Sequence, residues 1–566
     1  MTACGLGRDG RVAARERTVR RRSGSAAIVL LIVGSVATAS IASGADAGDE
    51  LRSRLEANVC ALPVPYVERI SRGTSLGRSG DIQLLPEEPN FVSAGLSHAG
   101  PWDYVQNVPM FWYGPGFVRP GVYDRPVTLA DIAPTQAELL RFDFDAPDGR
   151  PMREALAPHD ERPLPRLVVT LIWDSAGRFV LDRWKHEWPY LRRLLPEGAW
   201  FENATSGASP ANTPPSHATI GTGAFPDDHG VMDEYIRLGD SLFKPYEMGP
   251  RALLLPTLAD LYDRAESSDP VVGTVATLDP HVGMMGHGAL WGGGDRDIAI
   301  TRQGEDAQTG GDEGESWNLT PVMSPYYRLP AYANAVSDLD QEADVLDRRD
   351  GRIDGNWLGN SIEQLAGGFD TPARTPYQTQ LVEAVVQREG FGVDEVPDLL
   401  FVNYKAMDTI GHIFSASSPE MGETLRIQDE DLQHLVPFLD RTVGRGRWVM
   451  VLTADHGHQF DPADTGAFEI DIDAVRLHID EQFDDGDARP LVAWMRPTQV
   501  WLDPQELGDA GATLDDVAAY AAGLTRAQTA KKDTVVASEE ADDRVFAAAF
   551  PSAMLQELPC KTEERS

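Results

Sequence analysis

Four stretches of this chain are almost uninterruptedly apolar: 108–113, Leu167–Trp173, Asp398–Tyr404 and Trp448–Thr453. Runs of this length without polar alternation predict buried strands of a parallel sheet, covered on both faces. Asp174 follows one run directly, Asp408 and Asp455 follow two others closely, and Gly114 follows the fourth. Between them lie helical patterns at 256–265, 379–387 and 425–439. Strands alternating with helices predict an α/β fold built on a doubly wound, mostly parallel sheet. Ligands in such sheets sit beyond the carboxyl ends of the strands. The three aspartates therefore mark where chemistry is expected.

The pattern changes elsewhere. Residues 292–370 are rich in Gly, Asp and Asn with weak periodicity, and are expected to form an inserted cap over the site. Beyond 460 a small β/α region is expected, with a strand at 500–502 and a helix at 513–524. The chain opens on Arg8, Arg11, Arg15, Arg17, Arg20, Arg21 and Arg22, then an apolar run at 26–42, then small residues to Ala45. That order is a secretory signal peptide. It predicts a secreted or periplasmic protein, with an uncleaved anchor as the alternative. The organisation read from these shifts is a leader at 1–45, then segments 46–160, 161–460 and 461–566.

Composition narrows the function. The hydrophobic fraction of 42% over 566 residues is enough for a large core. The formal net charge of -38 argues against a nucleic-acid polymer as partner, and against stable membrane association once a leader is removed. A small anionic substrate remains admissible, because bound metal ions reverse the local field. Lysines are few: Lys185, Lys244, Lys405, Lys531, Lys532 and Lys561. Loss of Cys4 with the leader would leave Cys60 and Cys560, a pair that an oxidising compartment would let join. Two unrelated thiols is the alternative. Oligomeric state is not written in the sequence.

Candidate metal ligands cluster after the strands. Asp408-Thr-Ile-Gly-His412 sets a carboxylate and an imidazole four residues apart, and Asp455-His456-Gly457-His458 follows a buried strand. Oxygen and nitrogen ligands of this kind suit zinc or a similar divalent ion. Taken singly, an Asp at a strand end is usually a turn or cap; three on one α/β pattern point to a metal site. In Asn212-Thr213-Pro214-Pro215-Ser216-His217, Thr213 is presented at a helix N-terminus, where phosphate oxygens are favoured. An ordinary threonine cap is the alternative.

Together these motifs resemble the alkaline phosphatase superfamily, in particular its type I phosphodiesterase/nucleotide pyrophosphatase and phosphate-repressible phosphatase branches. The resemblance implies metal ligation by Asp174, Thr213, Asp408, His412, Asp455 and His456, with Thr213 as nucleophile. It implies two divalent ions, zinc being expected, and a small phosphorylated substrate. The family's last metal histidine has no counterpart after Asp455-His456-Gly457. Its context appears upstream instead, in His98-Ala-Gly-Pro-Trp-Asp-Tyr104, followed by Val108-Pro109 and Gly114-Pro115-Gly116. The resemblance therefore implies a circular permutation in which residues 46–160 complete the core and His98 is the missing ligand. A Cys60–Cys560 disulfide would then clip the new ends together.

Two departures leave the substrate class open. His229-Gly-Val-Met-Asp-Glu234 carries a carboxylate where diesterase relatives carry an amide, and no Lys-x-Arg pair stands near His281. His217 and His458 are expected to support ligands rather than bind metal. His281 and His287 are candidates for facing substrate. A sulfatase is disfavoured, because Thr213-Pro-Pro-Ser-His lacks the Cys/Ser and Arg of that motif. The motifs also admit a phosphotransferase of the same superfamily and a non-catalytic metal-scaffold binding protein.

Overall fold

The computed structural model describes residues 44–560, apart from 94, 279–280, 282–293, 303–315, 485, 487–488, 533 and 559. The expected leader up to residue 43, Cys4 and His287 lie outside the described residues, as does part of 292–370.

Nine strands form the central sheet. From one edge they run Tyr327–Arg328, Asp297–Arg302, Val272–Leu278, Asp398–Tyr404, Leu167–Trp173, Trp448–Thr453, Met110–Tyr113, Ala199–Phe201 and Gly121–Tyr123. Every neighbouring pair is parallel except the two that involve Met110–Tyr113. The three central strands are buried at every position, which is why their sequences are continuous apolar runs rather than alternating ones.

Side chains on alternate residues reach opposite layers. On one face Gln136, from helix Ile132–Leu140, donates to Thr170 Oγ1 at 2.6 Å, and Asn403 reaches His217 of helix Thr213–Thr222. On the other, Tyr404 bonds Thr379 of helix Arg374–Glu389 at 2.7 Å. The expected helices are present, the first with a narrower start as Leu258–Ala265 and the others with wider bounds as Arg374–Glu389 and Pro419–Leu439.

One expectation is corrected. The 108–113 run is a strand over Met110–Tyr113, but it is antiparallel to its neighbours. An apolar run reports burial on both faces and carries no sign of direction. The reversal has a consequence: the residues before this strand, not those after it, lie at the end of the sheet where the aspartates gather. The stretch 292–370 also contributes two edge strands, Asp297–Arg302 and Tyr327–Arg328, to the central sheet.

A second, antiparallel sheet is built from distant pieces in the order Val492–Arg496, Gln499–Leu502, Ile82–Pro86, Phe546–Pro551. Ile82–Pro86 sits between two strands from beyond residue 490, so segments 46–160 and 461–566 share one core. Cys60 and Cys560 form a disulfide across a separation of 500 residues. Among the described residues no helix is long and apolar enough to cross a membrane.

Candidate active site and metal centre

Three adjacent strands, Asp398–Tyr404, Leu167–Trp173 and Trp448–Thr453, end side by side. Their loops carry Asp408 (through helix Ala406–Phe414), Asp174 and Asp455 into one buried region. Glycines let these loops approach. A Cβ on Gly177 would meet the Cα of Gly457 at 2.4 Å, and one on Gly457 would meet Tyr104 O at 2.3 Å. Gly457 N–H donates to Val105 O at 2.6 Å, which fastens the segment after His98 to the loop after Asp455. Ser175, with φ 64°, turns the chain sharply after Asp174. Its hydroxyl donates to Asp408 Oδ1 at 2.6 Å and its N–H to Asp455 Oδ1 at 3.2 Å. A non-glycine residue in the left-handed region costs backbone energy; here it ties all three loops together.

The residues fall into two groups. Asp174, Asp455 and His456 form one, and His98, Asp408, His412 and His458 the other; within each group one ligand atom per residue lies within 4.8 Å of the rest. Six of the seven ligands expected from the sequence, all but Thr213, are thus brought into these groups. His98 arrives from the far side of the chain with Nε2 3.5 Å from Asp408 Oδ1. Its ring stacks on His456 at 3.8 Å between centroids. His412 Nε2 lies 3.6 Å from the same Asp408 oxygen.

Thr213 begins its helix, with Asn212 as the residue before it. Its hydroxyl lies 3.4 Å from His456 Nε2 and accepts a hydrogen bond from Lys405 Nζ at 3.0 Å. Lys405 also donates to Asp174 Oδ1 at 3.3 Å and pairs with Asp408 Oδ2 at 2.8 Å. Sequence reasoning missed this residue. The available signal was its rarity, as one of six lysines, three positions before Asp408.

Hydrogen bonds fix the imidazoles in one tautomer. Nδ1 of His98, His456, His458 and His217 faces the backbone carbonyl of Ala211, Gly457, Gln459 and Thr213 respectively, at 3.0, 2.9, 3.4 and 2.9 Å. A carbonyl can only accept, so Nδ1 carries the hydrogen and Nε2 keeps its lone pair. This is the usual preparation of a metal-binding histidine. His217 Nε2 is used differently: it accepts from Asn403 Nδ2 at 3.2 Å and from His281 Nδ1 at 3.1 Å. His217 is therefore a support for the Thr213 helix, as expected. His281 is fully buried against His217, with its Nε2 3.9 Å from Asp174 Oδ2.

The electrostatics fit divalent cations. Burial, then the neighbouring Asp455 charge, pushes the Asp174 carboxyl well above its usual range, against the pull of Lys405. Burial also raises Asp455. Burial opposes ionisation of Asp408 too, but Lys405 and the adjacent histidines override it and hold Asp408 well below the usual range. Burial keeps His456 and His458 neutral by lowering both. Asp455 Oδ2 and His458 Nε2 are buried without a hydrogen-bond partner. Three carboxylates facing one ammonium, neutral imidazoles and bare acceptor atoms make a donor set suited to metal ions.

Asp233, the carboxylate found where an amide was looked for, is fully buried. It accepts from Asn212 Nδ2 at 2.7 Å, Glu234 N at 2.7 Å and Gln499 Nε2 at 3.3 Å. It therefore anchors the residue before Thr213.

Comparison with known proteins places the chain in a family. The model of the "Type I phosphodiesterase / nucleotide pyrophosphatase" family matches residues 168–555. The chain is 25% identical over 413 residues to "Alkaline phosphatase PafA" of Elizabethkingia meningoseptica, covering 63% of this chain and 72% of that one. It is 24% identical over 334 residues to "Alkaline phosphatase PhoV" of Synechococcus elongatus, covering 52% of this chain and 59% of that one. A solved structure of wild-type alkaline phosphatase PafA aligns with TM-score 0.48 and 20% identity over 64% of this chain and 76% of that one.

Proposed function

The chain belongs to the type I phosphodiesterase/nucleotide pyrophosphatase family and is a phosphoric ester hydrolase; from that premise we propose that Thr213 is its nucleophile within a two-metal centre. One observation carries the reading: the Thr213 hydroxyl stands at a helix start between His456 and Lys405, with the two ligand groups around it. Asp174, Asp455, His456 and Thr213 would hold one divalent ion, and Asp408, His412 and His98 the other. Zinc is the ion such nitrogen and carboxylate ligands favour. When bound, the ions supply charge neutralisation and a lowered pKa for hydroxyl and water.

The chain's own residues do the rest. The start of helix Thr213–Thr222 holds the hydroxyl in place through the His217–Thr213 O bond and offers backbone N–H groups to phosphoryl oxygens. Thr213 Oγ1 attacks phosphorus, the bond to the leaving oxygen breaks, and that oxygen takes up a proton. Water then cleaves the phospho-threonine, restoring the hydroxyl and releasing phosphate. The Lys405 ammonium, 3.0 Å from Oγ1, lies within reach of an oxygen on phosphorus attached there. This extra charge favours the dianionic monoester over the diester.

The same reading makes the chain circularly permuted. The family match begins at residue 168, yet His98 lies among the ligands. Residues 46–160 would then complete the core of 161–460, and the Cys60–Cys560 disulfide would join what would otherwise be consecutive segments. The arginine-rich leader and the disulfide support export from the cytosol.

Hydrolysis of p-nitrophenyl phosphate, bis-p-nitrophenyl phosphate and p-nitrophenyl sulfate tests the proposal. Zinc-loaded protein should turn over the monoester fastest, and Thr213→Ala should lose on the order of 10³-fold or more in kcat. Unchanged turnover in that variant would remove Thr213 from the mechanism.

A further inference from the structure

His458 has no role in the reaction just described, yet it stands among the ligands. Its ring is fully buried, and its Nε2 has no hydrogen-bond partner. Its Nδ1 faces Gln459 O at 3.4 Å, which leaves the Nε2 lone pair free, as in His98 and His456. The ring lies 4.8 Å from that of His412 and 5.2 Å from that of His98. Space for it comes from Gly411, where a Cβ would fall 2.5 Å from the ring. His98, Asp408, His412 and His458 each offer one ligand atom within 4.8 Å of the others.

We propose that His458 is a fourth protein ligand, so that the histidine-rich side of the centre is a cage of three imidazoles and one carboxylate. The inference rests on the two-metal reading and adds an asymmetry to it. Each side of the centre then has four protein ligands, but this one offers three imidazoles against one on the other, and imidazole is a ligand that suits zinc. The cage ion is then the one that stays bound. The ion held by Asp174, Asp455, His456 and Thr213 is the one that exchanges and whose supply sets activity.

Metal content and cobalt spectra of the full chain test this without relying on turnover. Stripped protein titrated with Co²⁺ should fill the cage first, giving the intense visible band of a four-coordinate ion. After zinc loading, dialysis against a mild chelator should leave one equivalent bound. His458→Ala should lose that band and weaken the retained ion by more than the roughly 10–100-fold typical of an outer-shell partner. Zinc-loaded wild-type crystals keep the question answerable if the variant does not fold: His458 Nε2 should sit about 2.1 Å from a zinc ion. Two bound ions with His458 Nε2 away from both would overturn the cage and leave the two-metal reading standing. Protein that binds no divalent ion would overturn both.

Discussion

The two halves of the centre are assembled in different ways. The Asp174–Asp455–His456 group comes from the ends of two adjacent parallel strands and depends only on the local geometry of the sheet. The His98–Asp408–His412–His458 group needs a helix, a loop and a segment more than 300 residues upstream of Asp408. The second depends on the docking of the His98 segment, which Gly457 makes room for at Tyr104 and fastens by donating to Val105 O, and which the His98 Nδ1–Ala211 O and Ser209 Oγ–Ala99 O bonds also hold. The difference separates a site made by strand topology from one made by long-range closure.

Of the changes that separate the two halves, breaking the long-range one has the largest predicted effect. His98→Ala should lower kcat/KM for p-nitrophenyl phosphate by on the order of 10²-fold or more, with partial recovery in excess zinc. Near-wild-type activity without added metal would show that His98 is not a ligand.

Lys405 joins the halves, since it touches Asp174, Asp408 and Thr213. Lys405→Met should reduce kcat roughly 10²-fold, comparable to losing one preorganised donor to transition-state charge. It should also lower the thermal midpoint of the metal-free protein, by leaving buried carboxylates without their cation. Zinc should restore most of the midpoint but not the rate. A variant with normal turnover would confine Lys405 to a structural role.

Closure can be loosened away from the site. Cys60→Ser paired with Cys560→Ser opens a crosslink spanning 500 residues. The expected cost is about 2–5 kcal/mol of stability, read by denaturant unfolding, with kcat retained at moderate temperature. An unchanged unfolding midpoint would mean that the disulfide does not hold the segments together.

The smallest effect contrasts the site's carboxylates with one that has no cation. Asp431, in helix Pro419–Leu439, is pushed up to about 8 by burial, against a hydrogen bond from Thr379. Its folded pKa is raised, so the stability present below its unfolded pKa of 3.8 is lost as pH rises through about 8. Asp431→Asn should therefore raise the midpoint by roughly 1–4 °C at pH 9 and leave it unchanged near pH 4. An equal shift at both pH values would contradict the titration.

The acidic half was the more legible in the sequence. An apolar run that ends in Asp is a local signal, and the recurrence of that signal on one α/β pattern is what marked Asp174 and Asp455. The direction of Met110–Tyr113 was not legible, because burial on both faces looks the same in either orientation. His98 was found only through the resemblance of its surroundings, because no local pattern joins it to Asp408. Lys405 and the free Nε2 of His458 stayed hidden for another reason: their meaning lies in distances to residues far along the chain. The packing of His281 against His217 was not legible either, because a loop rich in Gly and Met gives no hint of it.

The most direct test is anomalous diffraction at the zinc edge from crystals of the zinc-loaded protein. Two peaks are expected, one against Asp174, Asp455, His456 and Thr213, and one against Asp408, His412 and His98. A single peak, or a second ion that leaves His98 unliganded, would contradict the two-metal centre.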